Sequence, residues 1–368
     1  MGDVSAQQGP AAAPLVSIIM PCYRVAEDLP RAIDDVRAQT YGSWELICVD
    51  DGSPDEVARV VRDNAARDAR IRLVRHERNR GLSAARNTGL AAASGELMWM
   101  PDPDDRFEPD LLERAVDALT DPSCDLAIFG CREEQLESDG TVRPVRSLVP
   151  ARTGSLTSEE LRREALALEE ATLLGYAWNK VYRRRVLEGL AFEDVPLIED
   201  VLFNLQVVDR ARGGALIARP LYRYQKRAGS NLTGRFVPKY FAVHRRRIAA
   251  LLDCLQRWGE DTPDARARLG GRFARYVLSA LERNCDVRAG MSGADRRRWC
   301  GELKADPLFR SLVLGARPHG SGALGRAGVA LLRTRSTAAY LMAGRILHLL
   351  RRWGSRGYEL AKRGSEGS

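Results

Sequence analysis

Histidine is scarce in this sequence, and cysteine is scattered. The 368 residues hold four histidines, each standing alone, and seven cysteines with no C-x-x-C pair. That spacing argues against a zinc site of imidazole and thiolate ligands. An odd number of cysteines, several inside apolar runs such as Leu46-Ile47-Cys48-Val49, reads as small buried hydrophobes in a reducing compartment. No run of about 18 apolar residues occurs, so no membrane-spanning helix is expected. The Ala-, Gln- and Gly-rich opening has no charged segment followed by an apolar one, so no secretory signal is expected. The pattern Gly-x-x-x-x-Gly-Lys-Ser/Thr is missing, which excludes a P-loop. No Gly-x-Gly-x-x-Gly follows the first apolar run, which argues against a standard dinucleotide site. No internal repeat marks a solenoid.

What is present is an ordinary globular composition, 45% hydrophobic and 29% charged, with a net charge of +8. A packed core is expected. After a leader of residues 1–14, expected to be disordered, apolar runs alternate with helical spacing. Strands are expected at 16–20, 45–49, 71–74, 97–100 and 126–129, and helices at 29–39, 56–69, 82–93 and 110–119. Such alternation implies an α/β fold with a mostly parallel sheet covered by helices. Residues 132–157 break the rhythm, 158–235 are mixed, and the pattern from 239 to about 303 is helical. The expected division is a catalytic domain over 15–235, with halves 15–130 and 131–235, then a helical region over 236–310 and a basic tail over 311–368.

Ligands of open α/β sheets bind beyond the carboxyl ends of the strands. Pro21-Cys22-Tyr23 follows the first expected strand, Asp50-Asp51-Gly52-Ser53 the second, and Pro101-Asp102-Pro103-Asp104-Asp105 the fourth. Either acidic segment alone is ordinary turn chemistry. Together, at two strand ends of one sheet, they set five carboxylates against one another in a basic protein. A divalent cation relieves that repulsion, and an all-oxygen set favours Mg2+ or Mn2+ shared with substrate phosphates.

These residues resemble glycosyltransferase family 2, whose members have the GT-A fold. The resemblance runs through Val16-Ser17-Ile18-Ile19-Met20-Pro21-Cys22-Tyr23, Gln39-Thr40-Tyr41, Val49-Asp50-Asp51-Gly52-Ser53 and the stretch from Asn79 to Gly89. It ends on Asp102-Pro103-Asp104-Asp105, at the family's Asp-x-Asp position, having covered about 90 residues. It implies that Pro21, Tyr23 and Asp51 line the nucleotide base, with Asp50 beside them and Asp102 near the ribose. Asp104 would hold the metal against the diphosphate, with Asp105 close by. Arg86 would bind the nucleotide sugar or, with Asn87, buttress the loop. Trp178-Asn179-Lys180 resembles the acceptor side, and Glu199-Asp200 the pair that carries the catalytic base. Tyr222-Arg223-Tyr224 with Arg227, Gly229 and Ser230 resembles a later loop near the diphosphate. Pro103 departs from the Ser common at that position. The family's Gln-x-x-Arg-Trp motif of processive polymerases is missing, which favours transfer of a single sugar.

The resemblance implies an inverting, metal-dependent transferase. It would take a nucleoside-diphosphate sugar, UDP-linked by expectation, and a glycan or lipid-linked acceptor in cell-surface polysaccharide or glycoconjugate synthesis. A degenerate nucleotide-sugar binder or scaffold is the alternative, although such a protein would be expected to have lost these carboxylates. From His319 onward nine Lys/Arg face two Glu. A helix expected over 338–356 sets Ala339, Ala343, Ile346, Leu350 and Trp353 on one side and Arg345, Arg352 and Arg356 on the other. It would pack on the protein's own core or lie on an anionic membrane. The expected location is cytoplasmic, at the inner face of the membrane. Nucleic-acid binding is not expected, because no known module accompanies the charge.

Overall fold

The computed structural model describes residues 13–137, 139–227, 236–237, 239–319 and 322–353. Most of the expected leader, Gly229 and Ser230, and the chain from 354 on lie outside the described residues. So do the side chains of Arg227, Arg352 and Trp353. Contacts divide the described residues into two compact units, one of 13–194 with 199–227, the other of 195–198 with 236–353.

The first unit is α/β. Strands β1 (Val16–Cys22), β2 (Trp44–Asp50), β3 (Ile71–Arg75) and β4 (Leu97–Trp99) alternate with helices α1 (Leu29–Arg37), α2 (Val57–Ala65) and α3 (Leu82–Ala92). Every residue of β1 is buried, as expected for a strand covered on both faces. Helix α1 buries Leu29, Ala32, Ile33 and Val36, an i, i+3, i+4, i+7 stripe. The strands lie in the order β3-β2-β1-β4, all parallel. Their carboxyl ends therefore share one edge of the sheet.

Beyond β4 come β5 (Arg106–Phe107), α4 (Leu111–Ala118), β6 (Leu126–Leu136), β7 (Val142–Leu148), β8 (Gly154–Thr157) and α5 (Ser158–Glu170). They are followed by β9 (Lys180–Arg183), α6 (Arg184–Leu187), α7 (Glu199–Arg210) and β10 (Gly213–Arg227). The sheet continues β4-β9-β6-β10-β5, with β9 antiparallel to both neighbours and β6 parallel to β10. The break in rhythm over 132–157 contains a hairpin, in which β6 runs on to Leu136 and pairs with β7, and then β8, which pairs with β10. All of β7 except Leu148 is exposed, so its residues carry no apolar alternation to read. Because β9 runs antiparallel to β4, its first residue Lys180 sits at the edge where β4 ends.

The second unit is helical among its described residues: α8 (Tyr240–Trp258), α9 (Pro263–Arg283), α10 (Gly293–Ala305), α11 (Pro307–Phe309), α12 (Gly322–Arg333) and α13 (Thr337–Trp353). Helix α9 is its spine and buries Leu269, Phe273, Val277 and Leu281. Gly344, which lowers helix propensity, lies against that spine. A Cβ there would lie 2.6 Å from the Leu281 carbonyl oxygen. All seven cysteines are free thiols, six of them buried.

Candidate active site

Asp50, the last residue of β2, is fully buried; its Oδ1 accepts from Ser53 N–H at 2.8 Å and its Oδ2 lies 3.0 Å from Arg75 Nε. Asp51 is also buried. It accepts from the N–H groups of Arg80 and Gly81 at 2.9 and 2.8 Å and from His76 Nδ1 at 2.6 Å. Asp51 thus holds the loop that follows β3 against the end of β2, while Asp50 braces its own turn and the last residue of β3. Gly52 completes this joint. Its φ is +65°, and a Cβ would lie 2.4 Å from the Arg78 carbonyl carbon. A substitution meets both a left-handed backbone and a backbone clash. Gly52→Ala should destabilise the protein by about 2 kcal/mol or more. Urea unfolding checks this; a change under about 0.5 kcal/mol, the usual size for surface substitutions, would show the loop to be free to shift.

Tyr23 stands just beyond β1, 39% exposed, with the Arg24 guanidinium over its ring at 5.4 Å from the centroid. Pro21 is buried inside β1. Ser53 Oγ accepts from Arg24 N–H at 2.8 Å, and Asp55 accepts from Ala26 N–H at 3.0 Å. The second strand-end loop therefore fixes the first.

Arg86, on α3, is the centre of the site. It is 1% exposed, and its Nη1 donates to Asp200 Oδ1 at 2.5 Å and its Nη2 to Asp102 Oδ1 at 3.1 Å. Glu199 Oε1 lies 4.0 Å away. Burial opposes the Arg86 charge, but Asp200, Asp102 and Glu199 together hold it above its ordinary value. Its neighbour Asn87 exchanges two 2.8 Å hydrogen bonds with the backbone of Phe192, a clamp between α3 and the segment before α7. Glu199 and Asp200 open α7, where backbone N–H groups favour carboxylates. The other Asp200 oxygen accepts from Ala177 N–H at 3.1 Å, while buried Glu199 Oε2 has no hydrogen-bond partner among the described residues. Burial, then Asp200, pushes the Glu199 carboxyl up to about 7, against the pull of Arg86.

The segment after β4 turns at Asp102–Asp105, where Asp105 N–H donates to the Asp102 carbonyl at 3.3 Å. Pro103 is buried and Asp104 exposed. Burial pushes the Asp102 carboxyl up to about 7; Asp104 and Asp200 add to this, against Arg86. Asp105 differs from its expected place beside a metal. It is 2% exposed and accepts from Tyr222 O–H at 2.7 Å and Gln225 N–H at 2.8 Å. Burial, then Asp104 and Asp102, raises its carboxyl well above the usual range. It ties the acidic turn to β10.

Trp178, Asn179 and Lys180 also differ from the expected acceptor contacts, for all three are buried. Asn179 donates to the carbonyls of Phe129 and Leu173. Lys180 Nζ donates to the carbonyls of Leu173 and Tyr176 and to Asn179 Oδ1 at 2.5–2.7 Å. Burial pushes the Lys180 ammonium down to about 7. Asn204, on α7, donates to the carbonyls of Leu174 and Tyr176. These three polar side chains fix the turn that offers Ala177 N–H to Asp200. Trp178 stacks on Tyr222 at 4.2 Å and on Tyr176 at 4.5 Å, and Tyr224 lies 5.7 Å away. The half-buried Tyr176 and Tyr224 are the aromatics nearest the surface here. Tyr176 and Asn204 escape a reading of strand ends, because nothing in their local sequence marks them; His76 stands directly after β3, at a strand end that carries no acidic cluster. Arg223 pairs with Glu134 at 2.8 Å.

Residues 17–190 match the family described as Glycosyl transferase family 2. The uncharacterized glycosyltransferase EpsJ of Bacillus subtilis is 35% identical over 223 residues, 59% of this chain and 62% of that protein. The glycosyltransferase GlyA of Streptococcus pneumoniae is 30% identical over 224 residues, 58% of this chain and 31% of that protein. The match thus spans less than two thirds of either relative. Among solved structures, residues 1–349 of S. aureus TarS in complex with UDP-GlcNAc superpose with a TM-score of 0.61 at 19% identity, covering 92% of each chain. That likeness is one of fold.

Proposed function

The chain carries a family 2 glycosyltransferase domain, and we propose that it moves a single sugar from a nucleoside-diphosphate sugar, UDP-linked, to a glycan or lipid-linked acceptor with inversion at the anomeric carbon. The observation that carries this reading is the Arg86 guanidinium, which joins Asp200 of α7 to Asp102 of the acidic turn. A proton acceptor is thereby held beside the acids of the donor side. Asp200 takes the proton of the attacking acceptor hydroxyl. Arg86 and Ala177 N–H fix the direction of its carboxylate. The exposed ring of Tyr23 offers a face for the base, and Asp102 is the partner of the ribose. Cell-surface polysaccharide synthesis at the inner face of the membrane suits such an enzyme.

The residues fit a divalent cation. Asp102, Glu199 and Asp200 share the single Arg86 guanidinium, and Asp104 adds a further acid at the same turn. Among the described residues no three His, Cys, Asp or Glu side chains group closely enough to hold an ion. A cation here would take further ligands from water and diphosphate oxygens, as Mg2+ and Mn2+ do. Asp104, the exposed acid of the turn, would hold it; bound there, it stabilises the charge of the departing diphosphate. Asp104→Ala should lower manganese-dependent affinity for a UDP-sugar at least tenfold in titration calorimetry, in a protein whose thermal unfolding shows it still folded. Equal affinity would remove Asp104 from the donor site.

Glu199 supports a second assignment of the base. Its carboxyl, near 7, has an oxygen without a hydrogen-bond partner among the described residues, whereas both Asp200 oxygens are engaged. A general base works best with a pKa near the operating pH.

A further inference from the structure

Helix α13 is attached to its unit through one side. Tyr340 is fully buried and donates its hydroxyl to the Leu332 carbonyl; Ala343 is buried, and Gly344 meets the carbonyl of Leu281. Arg351 donates to Glu282 at 2.8 Å, and His348 lies 3.3 Å from the same carboxylate. The face expected from the sequence is thus divided, for Ala343 is buried whereas Ile346 and Leu350, expected on the same side, are exposed. Met342, Ile346, Leu349 and Leu350 fall on the opposite side at i, i+4, i+7 and i+8, and are 58%, 49%, 51% and 55% exposed. Ten large apolar side chains are exposed among the described residues, and these four lie within nine consecutive positions. The clustering makes a surface of them, since singly scattered apolar residues need no explanation. Arg345, one turn before Leu349, is exposed at the edge of the stripe.

Charge selects what covers the stripe. Arg345 stands at its edge, and the sequence between Asp306 and Glu359 has nine arginines and no acid, Arg351 being turned back to Glu282. A second copy docking by the same face would bring arginine against arginine. A nucleic acid offers phosphates but nothing to cover four aliphatic side chains. An anionic bilayer satisfies both, with headgroups for the arginines and the acyl boundary for the stripe. We propose that the exposed face of α13, formed by Met342, Ile346, Leu349 and Leu350 with Arg345 at its edge, docks on an anionic lipid surface. No described helix is long and apolar enough to cross a membrane, so the contact lies in the interface plane.

Flotation of the full chain tests this with two kinds of vesicle, phosphatidylcholine alone and phosphatidylcholine mixed three to one with phosphatidylglycerol. Recovery is expected with the mixed vesicles only. Ile346→Ser with Leu350→Ser should lower partition about tenfold, and Arg345→Glu about fivefold. Both changes are at exposed positions, and thermal unfolding should match the parent. Asp104→Ala should float like the parent, so failure here is separate from failure of the donor-site reading. Equal recovery with both vesicles, or serine variants that float unchanged, overturns lipid docking. So does a dimer in light scattering that those variants dissolve.

Discussion

Asp200→Asn should lower turnover by ~10²–10⁴-fold, the usual worth of a general base, with donor affinity unchanged. The amide has the shape of the carboxylate, and its oxygen can keep the Arg86 hydrogen bond. It loses the ability to take a proton, and with it the second acceptor that Ala177 N–H reaches. Initial rates at saturating donor, read beside calorimetric donor binding, separate the two effects. A loss of binding equal to the loss of rate would make Asp200 a donor contact, since a group acting only in the transition state changes turnover alone. Glu199→Gln is the necessary partner experiment. If Glu199 is the base, the large loss moves to that variant, and Asp200→Asn keeps most of its turnover. The two acids are neighbours in the first turn of α7, so only the comparison assigns the role.

The half of the fold that brings the strand ends together is legible where burial is two-sided. The residues of β1 and most of β2 are buried, so both read as apolar runs stopped by turn residues. The other half of the sheet hides for three physical reasons. Strand β9 is four residues long and opens on Lys180, whose burial depends on carbonyls of the turn before it. Strand β10 interleaves Arg219, Arg223 and Lys226 with apolar residues, because parts of it are half-buried. Strand β7 faces water along almost its whole length. The acids of the site are legible for the same reason as the first strands, since they follow them directly. Their partners are not: Arg86 meets Asp200 across 114 residues, and Asp105 meets Tyr222 across 117. Residue type also misleads. Asn179 and Lys180 look like groups for a polar substrate, yet both are fully buried and bonded to backbone carbonyls and to each other.

Arg86→Ala should be the most disruptive single change in the site. It leaves Asp200, Asp102 and Glu199 around a space with no counter-charge, and removing one partner of a buried pair costs ~3–5 kcal/mol. The loss would appear in urea unfolding and as absent turnover. Arg86→Lys separates the two consequences. An ammonium restores a positive charge, but it is a compact point charge without the planar fork that reaches two carboxylates at once. Stability should therefore return in part while turnover stays low, because Asp200 and Asp102 are no longer held by one group. The double variant Arg86→Ala with Asp200→Asn gives the decisive comparison. If Arg86 acts by compensating Asp200, its removal should cost about 0.5–3 kcal/mol less once residue 200 is neutral, the range seen for directly interacting pairs. If the cost is the same in both backgrounds, Arg86 is held in place by its other contacts. The pairing with Asp200 would then carry neither stability nor the orientation of the base.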